Sequence, residues 1–413
     1  MNDLAPELAT VLVLLAADDL TLVPRSLGIA GADQLARGLR ATDIWTATWR
    51  MTLSPSKSHI VIFGRNGRPR TLRLDFYLRG QLLPTVSEVK YLGVWLDSTL
   101  SFKKQLSEKV LQAKRLAGLI VKRVGRAVAG RCIPLKVSRA LTCSLLMPTV
   151  LYGSEFWLVG NRRAQKQLDC QFARVLNLTL RLRGRTLPAR AIMAECRVPS
   201  ARIAAEQRLL SLSSRIMLCP TATAARALLQ LQFDMDIPRP ANVLHFGTQA
   251  SAAAARWGLN LPADKLTLKS SKQDIMLRDW QARGEHALLR SLTVDPETTS
   301  YLYADYPDVS VRANLRFGCA PTARRRHRFD PAVSPQCSFC GAHEQSVPHL
   351  LMACQRFYRR RMQLSESLAA RGVDLSLAIL LGDTHRIRRS LRSWALQHTF
   401  PFVHLVYQSL NVP

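Results

Sequence analysis

The sequence predicts an α+β protein that is mostly α, and three observations carry that reading. An apolar run at residues 11–15 closes on Ala16-Ala17-Asp18-Asp19 and is followed by Leu20-Thr21-Leu22-Val23, the pattern of two strands joined by a tight turn. From Ser101 onward, apolar residues recur at three- and four-residue spacing, first as Leu106, Val110, Ala113, Ala117, Ile120 and Val124. Near the C-terminus, Cys337-x2-Cys340-x8-His349-x4-Cys354 has the spacing of a small metal knuckle.

In chain order, the apolar run wants the interior, whereas two adjacent carboxylates there repel each other and lose hydration. Asp18 and Asp19 are therefore either a solvated hairpin tip or a pair whose charge a divalent cation offsets, as magnesium does at phosphoryl-transfer sites. Residues 32–51 carry helical spacing through Ala32, Leu35, Leu39, Ile44, Trp45 and Trp49. Met51-Thr52-Leu53-Ser54-Pro55-Ser56-Lys57-Ser58 follows, then a strand, His59-Ile60-Val61-Ile62-Phe63. Residues 64–70 form a turn or linker around Asn66-Gly67, and residues 71–97 read as strands ending at the Tyr91-Leu92-Gly93 turn. On the long helix from Ser101, Lys104, Arg115, Lys122 and Arg126 fall about 160–200° from Leu106, opposite the apolar stripe. That face either tracks phosphates or is simply solvated.

Further helical patterns run through 134–147 (closed by Pro148), 161–183, 187–218 and 222–232. Residues 161–190 add a second basic patch: Arg162, Arg163, Lys166, Arg174, Arg181, Arg183, Arg185 and Arg190. Pro220, Pro238 and Pro240 mark a boundary near 220–242, and residues 243–312 are mixed in character. Cys132, Cys143, Cys170, Cys196, Cys219 and Cys319 read as core packing.

The chain has 413 residues and a formal net charge of +29. Residues 1–60 hold five Lys/Arg against six Asp/Glu, so everything after them carries +30. A near-neutral start before a strongly basic body suits a binder of polyanions, since phosphate neutralisation drives such affinity. Nine cysteines, odd in number and irregularly spread, argue against a disulfide framework and for a reducing, intracellular compartment. The short N-terminal apolar run lacks a basic flank and no stretch reaches the roughly 20 apolar residues of a membrane span, so neither secretion nor membrane insertion is expected.

Zinc takes four soft or borderline ligands in a tetrahedron, and a Cys-x-x-Cys turn supplies two thiolates from one tight bend. Cys337 and Cys340 would form that bend, with Gly341 easing it, and Pro348 would open a helix carrying His349 and Cys354. Scattered buried cysteines beside a surface histidine are the alternative. His343 is a rival ligand but stands too near Cys340 for an unstrained ring. Arg324, Arg325, Arg326, His327 and Arg328 before the cluster, and Arg356, Arg359, Arg360 and Arg361 after it, would make the knuckle a nucleic-acid contact. Phe339, Phe357 and Tyr358 are candidate stacking surfaces.

The order of these segments resembles the reverse transcriptases of non-LTR (LINE-type) retrotransposons. An aromatic-Ala-Asp-Asp hairpin there precedes a helix, a Leu-Asn-Pro-x-Lys-Thr segment with its strand, and a Lys-Tyr-Leu-Gly hairpin leading to the thumb. The counterparts here are Ala16-Ala17-Asp18-Asp19, Leu53-Ser54-Pro55-Ser56-Lys57-Ser58 and Lys90-Tyr91-Leu92-Gly93. Leu151-Tyr152-Gly153-Ser154-Glu155-Phe156-Trp157 is similar to the family's Leu-Tyr-Gly-Ser-Glu-x-Trp, and Leu315-Arg316-Phe317-Gly318 and the Cys-Cys-His-Cys cluster continue the match. The departures are Ala16 for an aromatic residue, and Ser54 and Ser58 for Asn and Thr.

That resemblance implies a partial polymerase palm over residues 1–97 (β-hairpin, helix and strands), a helical thumb and post-thumb region over 98–220, and an uncertain helical linker over 221–312. A basic region with the zinc knuckle and C-terminal helices would occupy 313–413. It implies Asp18 and Asp19 as magnesium ligands, Lys57 as the acid that protonates departing pyrophosphate (a solvated lysine is the alternative), and Tyr91 and Gly93 as grips on the primer end. In such enzymes a primer 3′-hydroxyl attacks the α-phosphate of a deoxynucleotide. RNA template and target DNA would be the partners, held by the basic thumb face and the arginines beside the knuckle, in a nuclear setting. The family's fingers and first metal-binding aspartate lie upstream of the hairpin, where this chain has 17 residues before Asp18. The expectation is a C-terminal portion that does not polymerise alone, or a non-catalytic zinc-containing nucleic-acid binder derived from such an element.

Overall fold

The computed structural model describes residues 8, 11–26, 28–64, 74–127, 132–182, 189–220, 223–234, 246–281, 302, 308–384 and 387–410. The Asn66-Gly67 turn, Arg183, Arg185, Pro238 and Pro240 lie outside them. The chain is mostly helical with a few small sheets. Among the described residues it divides into two compact units, one up to Gln105 and one from Leu106. The second unit spans the segments expected as thumb, linker and knuckle region.

In the first unit, β1 (Val11–Ala16) pairs antiparallel with β2 (Asp19–Pro24), and Ala16 stands opposite Asp19. The turn is therefore Ala17-Asp18, with Ala17 at φ 56. The helix α1 (Gly28–Thr48) packs on this hairpin through glycine. A Cβ at Gly31 would lie 2.2 Å from the Ser26 carbonyl oxygen, and one at Gly38 3.3 Å from Val11 Cγ2. The close approach buries Trp45 with Leu8 and Val11. Ile44 and Trp49, expected on the apolar face, are exposed, because the contact face follows the glycines and Thr42 instead. The expected burial of the hairpin is also only partial: Leu14 and Leu15 are exposed, since this sheet has two strands and a helix on one side.

Across α1, Ala32, Leu35 and Leu39 pack on Ile60, Phe76, Leu78 and Leu83. These come from short pairs: β3 (Ile60–Val61) parallel to β6 (Thr85–Val86), and β4 (Tyr77–Leu78) antiparallel to β5 (Gln81–Leu82). β7 (Glu88–Tyr91) and β8 (Val94–Asp97) form the last hairpin, whose turn residues Leu92 and Gly93 both have positive φ. A primed turn of that kind matches strand twist and favours Gly at its second position. Asp97 then starts α2 (Lys103–Ala127): its carboxylate accepts from the backbone N–H of Thr99, Ser101 and Phe102 at 3.1, 3.0 and 2.7 Å, and from both hydroxyls.

The second unit is helical. Val110, Ala113, Ala117 and Ile120 of α2 are buried, as the stripe predicts. α3 (Leu135–Ala140) continues through a π-helical turn (Leu141–Leu146) into α4 (Met147–Val150). Pro148 does not close this helix, because it lies at the first turn after the π segment, where its missing N–H costs little. After Gly153 at φ 67 come α5 (Ser154–Trp157) and α6 (Arg162–Leu180), the latter buried over most of its length. The pattern at 187–218 is two helices, α7 (Ala189–Glu195) and α8 (Ala201–Met217). Arg197 at φ 55 and Pro199 separate them, and the Ser200 side chain caps the second.

α6 packs against α3, α7 and α8. Buried Asp169 of α6 accepts from Ala201 N at 2.7 Å and pairs with Arg190 at 3.5 Å. α9 (Ala224–Asp234), α10 (Phe246–Trp257) and α11 (Lys265–Gln281) lean on α8, and buried Glu206 accepts from Trp257 Nε1 and Arg256 Nη2, both at 2.8 Å. α12 (Asp308–Arg316), α13 (Ala323–Phe329), α14 (Tyr358–Ala369), α15 (Leu377–Leu380) and α16 (Arg392–Ser409) complete the unit. Of the six cysteines expected in the core only Cys196 is fully buried; Cys143 and Cys170 sit on solvent-facing sides of their helical segments. Among the described residues no helix is long and apolar enough to cross a membrane.

Burial opposes ionisation of Asp97, but the hydrogen bonds from Thr99, Ser101 and Phe102 outweigh it and hold the carboxyl below its ordinary range. Its contribution is therefore complete above the unfolded value of about 3.9 and fades as pH falls through the lower folded value. Asp97→Ala should loosen the start of α2 by about 1 kcal/mol at pH 7, read as faster amide exchange across residues 99–106. The difference from the parent protein should shrink between pH 4 and pH 2. An equal difference at both ends of that range would show that the carboxylate charge is not what caps α2.

Candidate metal centre and basic surface

The ligand atoms of Cys337, Cys340, His349 and Cys354 all lie within 4.8 Å of one another. Sγ of Cys337 and Cys354 are 3.9 Å apart, and Cys340 Sγ is 3.3 Å from His349 Nε2. A tetrahedral zinc with Zn–S near 2.3 Å has an S···S edge of about 3.8 Å, so this donor set fits that ion in both type and spacing. Exposed His343 takes no part.

Local backbone bonds build each half. Cys340 N and Gly341 N donate to the Cys337 carbonyl at 3.4 and 2.8 Å, Cys337 N donates to Ala342 O at 2.9 Å, and Gly341 has φ 71. In the other half Pro348 precedes a π-helical turn (His349–Ala353), not the ordinary helix expected. Cys354 is extended just past it, at φ −63 and ψ 128, and its N–H donates to His349 O at 2.8 Å. A five-residue turn returns Cys354 beside His349, which an i,i+4 bond would not do. The Ala342 N–H hydrogen bond pulls the Cys340 thiol down to about 6, whereas burial pushes Cys354 up to about 12.

Two surrounding side chains fasten the cluster. Arg361, expected to contact nucleic acid, is buried and donates from Nη1 to the Cys354 carbonyl at 3.1 Å. Its position on the inner face of α14 removes it from the candidate interface. Gln345, 1% exposed, donates from Nε2 to Ser338 Oγ at 3.1 Å and accepts at Oε1 from Ala323 N at 2.7 Å. Nothing in the sequence singles out this glutamine, because a lone Gln acquires meaning only from what it bridges.

The remaining arginines divide by what already holds them. Arg324 pairs with Glu344 at 2.6 Å, and Arg325 donates to Gly318 O at 2.8 Å while lying 5.7 Å from the Phe329 ring. Arg326, Arg328, Arg359 and Arg360 are exposed. Phe357 is buried with Phe339 edge-on at 5.8 Å, and Arg356 covers Phe339 at 5.5 Å, so neither ring is a free stacking surface. Phe329, 75% exposed with Arg325 over its ring, and Tyr358, 50% exposed with Arg361 6.0 Å from its ring, are the more exposed of these rings. On α2, Arg115, Lys122 and Arg126 are exposed as expected, with exposed Leu119 between the first two and exposed Leu111 one turn before Arg115. Lys104 is instead held by Glu88 at 2.7 Å and lies 3.6 Å over the Trp95 ring. The β7–β8 hairpin reaches it before solvent does. In the second patch Arg162, Arg163 and Lys166 are exposed, while Arg190 pairs with Asp169.

In the first unit, Asp18 lies in the β1–β2 turn and Asp19 begins β2, both exposed. Lys57 is exposed at the end of a short helical turn (Pro55–Lys57), and no ion pair joins it to either aspartate. Tyr91 ends β7 and Gly93 is the second residue of the β7–β8 turn. Among the described residues the Cys/His cluster is the one group of three or more metal donors, so the aspartate pair has no third carboxylate beside it. No protein-family model, curated protein or solved structure matches the chain.

Protein purified under reducing conditions should hold close to one equivalent of zinc. Structural zinc contributes roughly 10–16 kcal/mol of apparent binding energy in finger peptides, so Cys340→Ser should lose the metal and unfold residues 335–357 locally. Metal analysis that finds none in the parent, or full retention in the variant, would dismiss the site.

Proposed function

We propose that this chain carries the C-terminal segments of a LINE-type RNA-directed DNA polymerase and binds RNA and DNA through α2 and the basic surface around the metal knuckle. The observation that carries the reading is the convergence of four zinc-type donors between two elements, α13 and α14, that also carry the exposed Arg326, Arg328, Arg359 and Arg360. The order of segments supports the polymerase origin: an Asp-Asp hairpin, a helix, a lysine turn with its strand, a Tyr-Leu-Gly hairpin, and then a long helix with a basic outer face. Arg115, Lys122 and Arg126 recur along one side of α2, where successive phosphates can meet them. Phe329 and Tyr358 offer flat apolar faces on which unstacked bases can rest.

A second reading, a non-catalytic nucleic-acid binder derived from such an element, is favoured by the exposed Asp18 and Asp19. Two carboxylates at an open hairpin tip without a third among the described residues do not make a two-metal site. Magnesium would be held there only with further ligands, and the chemistry it supplies would be activation of a primer hydroxyl.

Two experiments test these readings. The purified chain should not extend a primer on an RNA template with magnesium; extension that disappears in Asp18→Ala would sink the non-catalytic reading. It should bind single-stranded RNA with a steep salt dependence, and changing Arg115, Lys122 and Arg126 to Glu should flatten log affinity against log salt by about 2 units, at roughly 0.7 per phosphate contact. An unchanged slope would reduce the α2 face to a solvated surface.

A further inference from the structure

We infer that Gln345 is a positioning residue that transmits the ordering of the metal knuckle to α13, so that metal at the four ligands sets the arginine-bearing helix without any ligand touching nucleic acid. The inference rests on the proposed binding surface for its functional meaning, but its structural part stands alone. Gln345 lies between the ligand pairs in sequence, four residues after Gly341 and four before His349. Its backbone belongs to the knuckle on one side, with N–H donating to Pro335 O at 2.7 Å, and to α13 on the other, with its carbonyl accepting from Arg324 N at 3.4 Å.

The side chain repeats the bridge in both directions. Oε1 accepts from Ala323 N at 2.7 Å, one of the first-turn donors that a helix leaves without an internal partner. Nε2 donates to Ser338 Oγ at 3.1 Å and stands 3.9 Å from Cys337 Sγ, facing a ligand sulfur. Thr322, buried, supplies the other cap of α13 through its Oγ to Arg325 N at 3.3 Å. A seven-residue helix does not persist on its own. α13 therefore takes its place from these caps, and Gln345, in the loop that the metal orders, supplies two of the three first-turn acceptors: Oε1 to Ala323 N and its carbonyl to Arg324 N. Because the amide is buried, removing its partners leaves polar groups unsatisfied and water cannot replace them cheaply.

The test uses the full chain and three proteins: the parent, Gln345→Leu and Ser338→Ala. Chelation of the parent should speed amide exchange across residues 323–329 roughly tenfold or more, the size expected when a buried donor loses its acceptor. Gln345→Leu should keep one equivalent of metal yet show that fast exchange with metal bound, and chelation should then change residues 323–329 little further. Ser338→Ala, which removes only the Nε2 partner, should fall between the two. With cobalt as the probe, the thiolate-to-metal charge-transfer band should shift in Gln345→Leu, because a donor facing Cys337 Sγ is gone. Loss of metal from Gln345→Leu would make the residue a general fold determinant and overturn the inference if Ser338→Ala also left exchange at 323–329 unaltered. Protection at 323–329 that ignores chelation in the parent overturns it outright. RNA affinity should fall severalfold in Gln345→Leu; if exchange behaves as expected but affinity does not move, the coupling stands and the binding surface lies elsewhere.

Discussion

A guanidinium without solvent exposure must be met by acceptors on every side, and Arg312 of α12 imposes that constraint on the C-terminal half of the second unit. It pairs with Asp308 one turn earlier and donates to the carbonyls of Leu380 and Leu396 and to Thr399 Oγ1. One turn later Arg316 pairs with buried Glu195 at 2.8 Å and donates to Leu381 O at 3.0 Å, and Asn314 donates to Arg181 O at 3.1 Å. Buried ion pairs gain little over apolar packing, but they admit one arrangement of partners. α12 therefore fixes α15 and α16 against α6 and α7. α13 and then the Cys/His cluster follow α12 along the chain.

The excess of positive charge accordingly does several jobs. Arg312, Arg316 and Arg361 are structural, each buried against carbonyls or a carboxylate. Arg190 and Arg256 are held by the buried carboxylates of Asp169 and Glu206, whereas Lys104 and Arg324 pair with Glu88 and Glu344 at the surface. Such exposed pairs add little stability, yet they lower the charge presented to a polyanion. Among the described residues, α2, the start of α6, α13 and α14 each present several exposed lysines or arginines. A net charge measures solubility and long-range attraction, whereas placement decides which phosphates are met.

The first unit shows the limit of periodicity as a guide. Helical spacing put Ile44 and Trp49 beside Trp45, but side-chain size alone does not choose the buried face of α1. Gly31 and Gly38 choose it, because a hairpin can come within contact of the helix backbone only where no Cβ intervenes. The same close approach leaves the far end of β1 and β2 in solvent, with the Asp18–Asp19 tip at its extremity. A third strand would have buried Leu14 and Leu15, and none pairs with them among the described residues.

The strongest local signals were readable from the residues themselves. The β1–β2 hairpin, the apolar stripe of α2 and the ligand set Cys337, Cys340, His349 and Cys354 follow from spacing, because turns, helix faces and metal donors depend on near neighbours in the chain. Tertiary structure decided the rest. It set Lys104 over Trp95, drew Arg361 inward to the Cys354 carbonyl, turned Phe357 into the core while leaving Phe329 outside, and gave Gln345 a partner on each side. An arginine reads identically in sequence whether it meets water, a carboxylate or a buried carbonyl. Only the packing of distant segments determines which acceptor reaches it first, and that choice separates the residues that build this protein from those it presents.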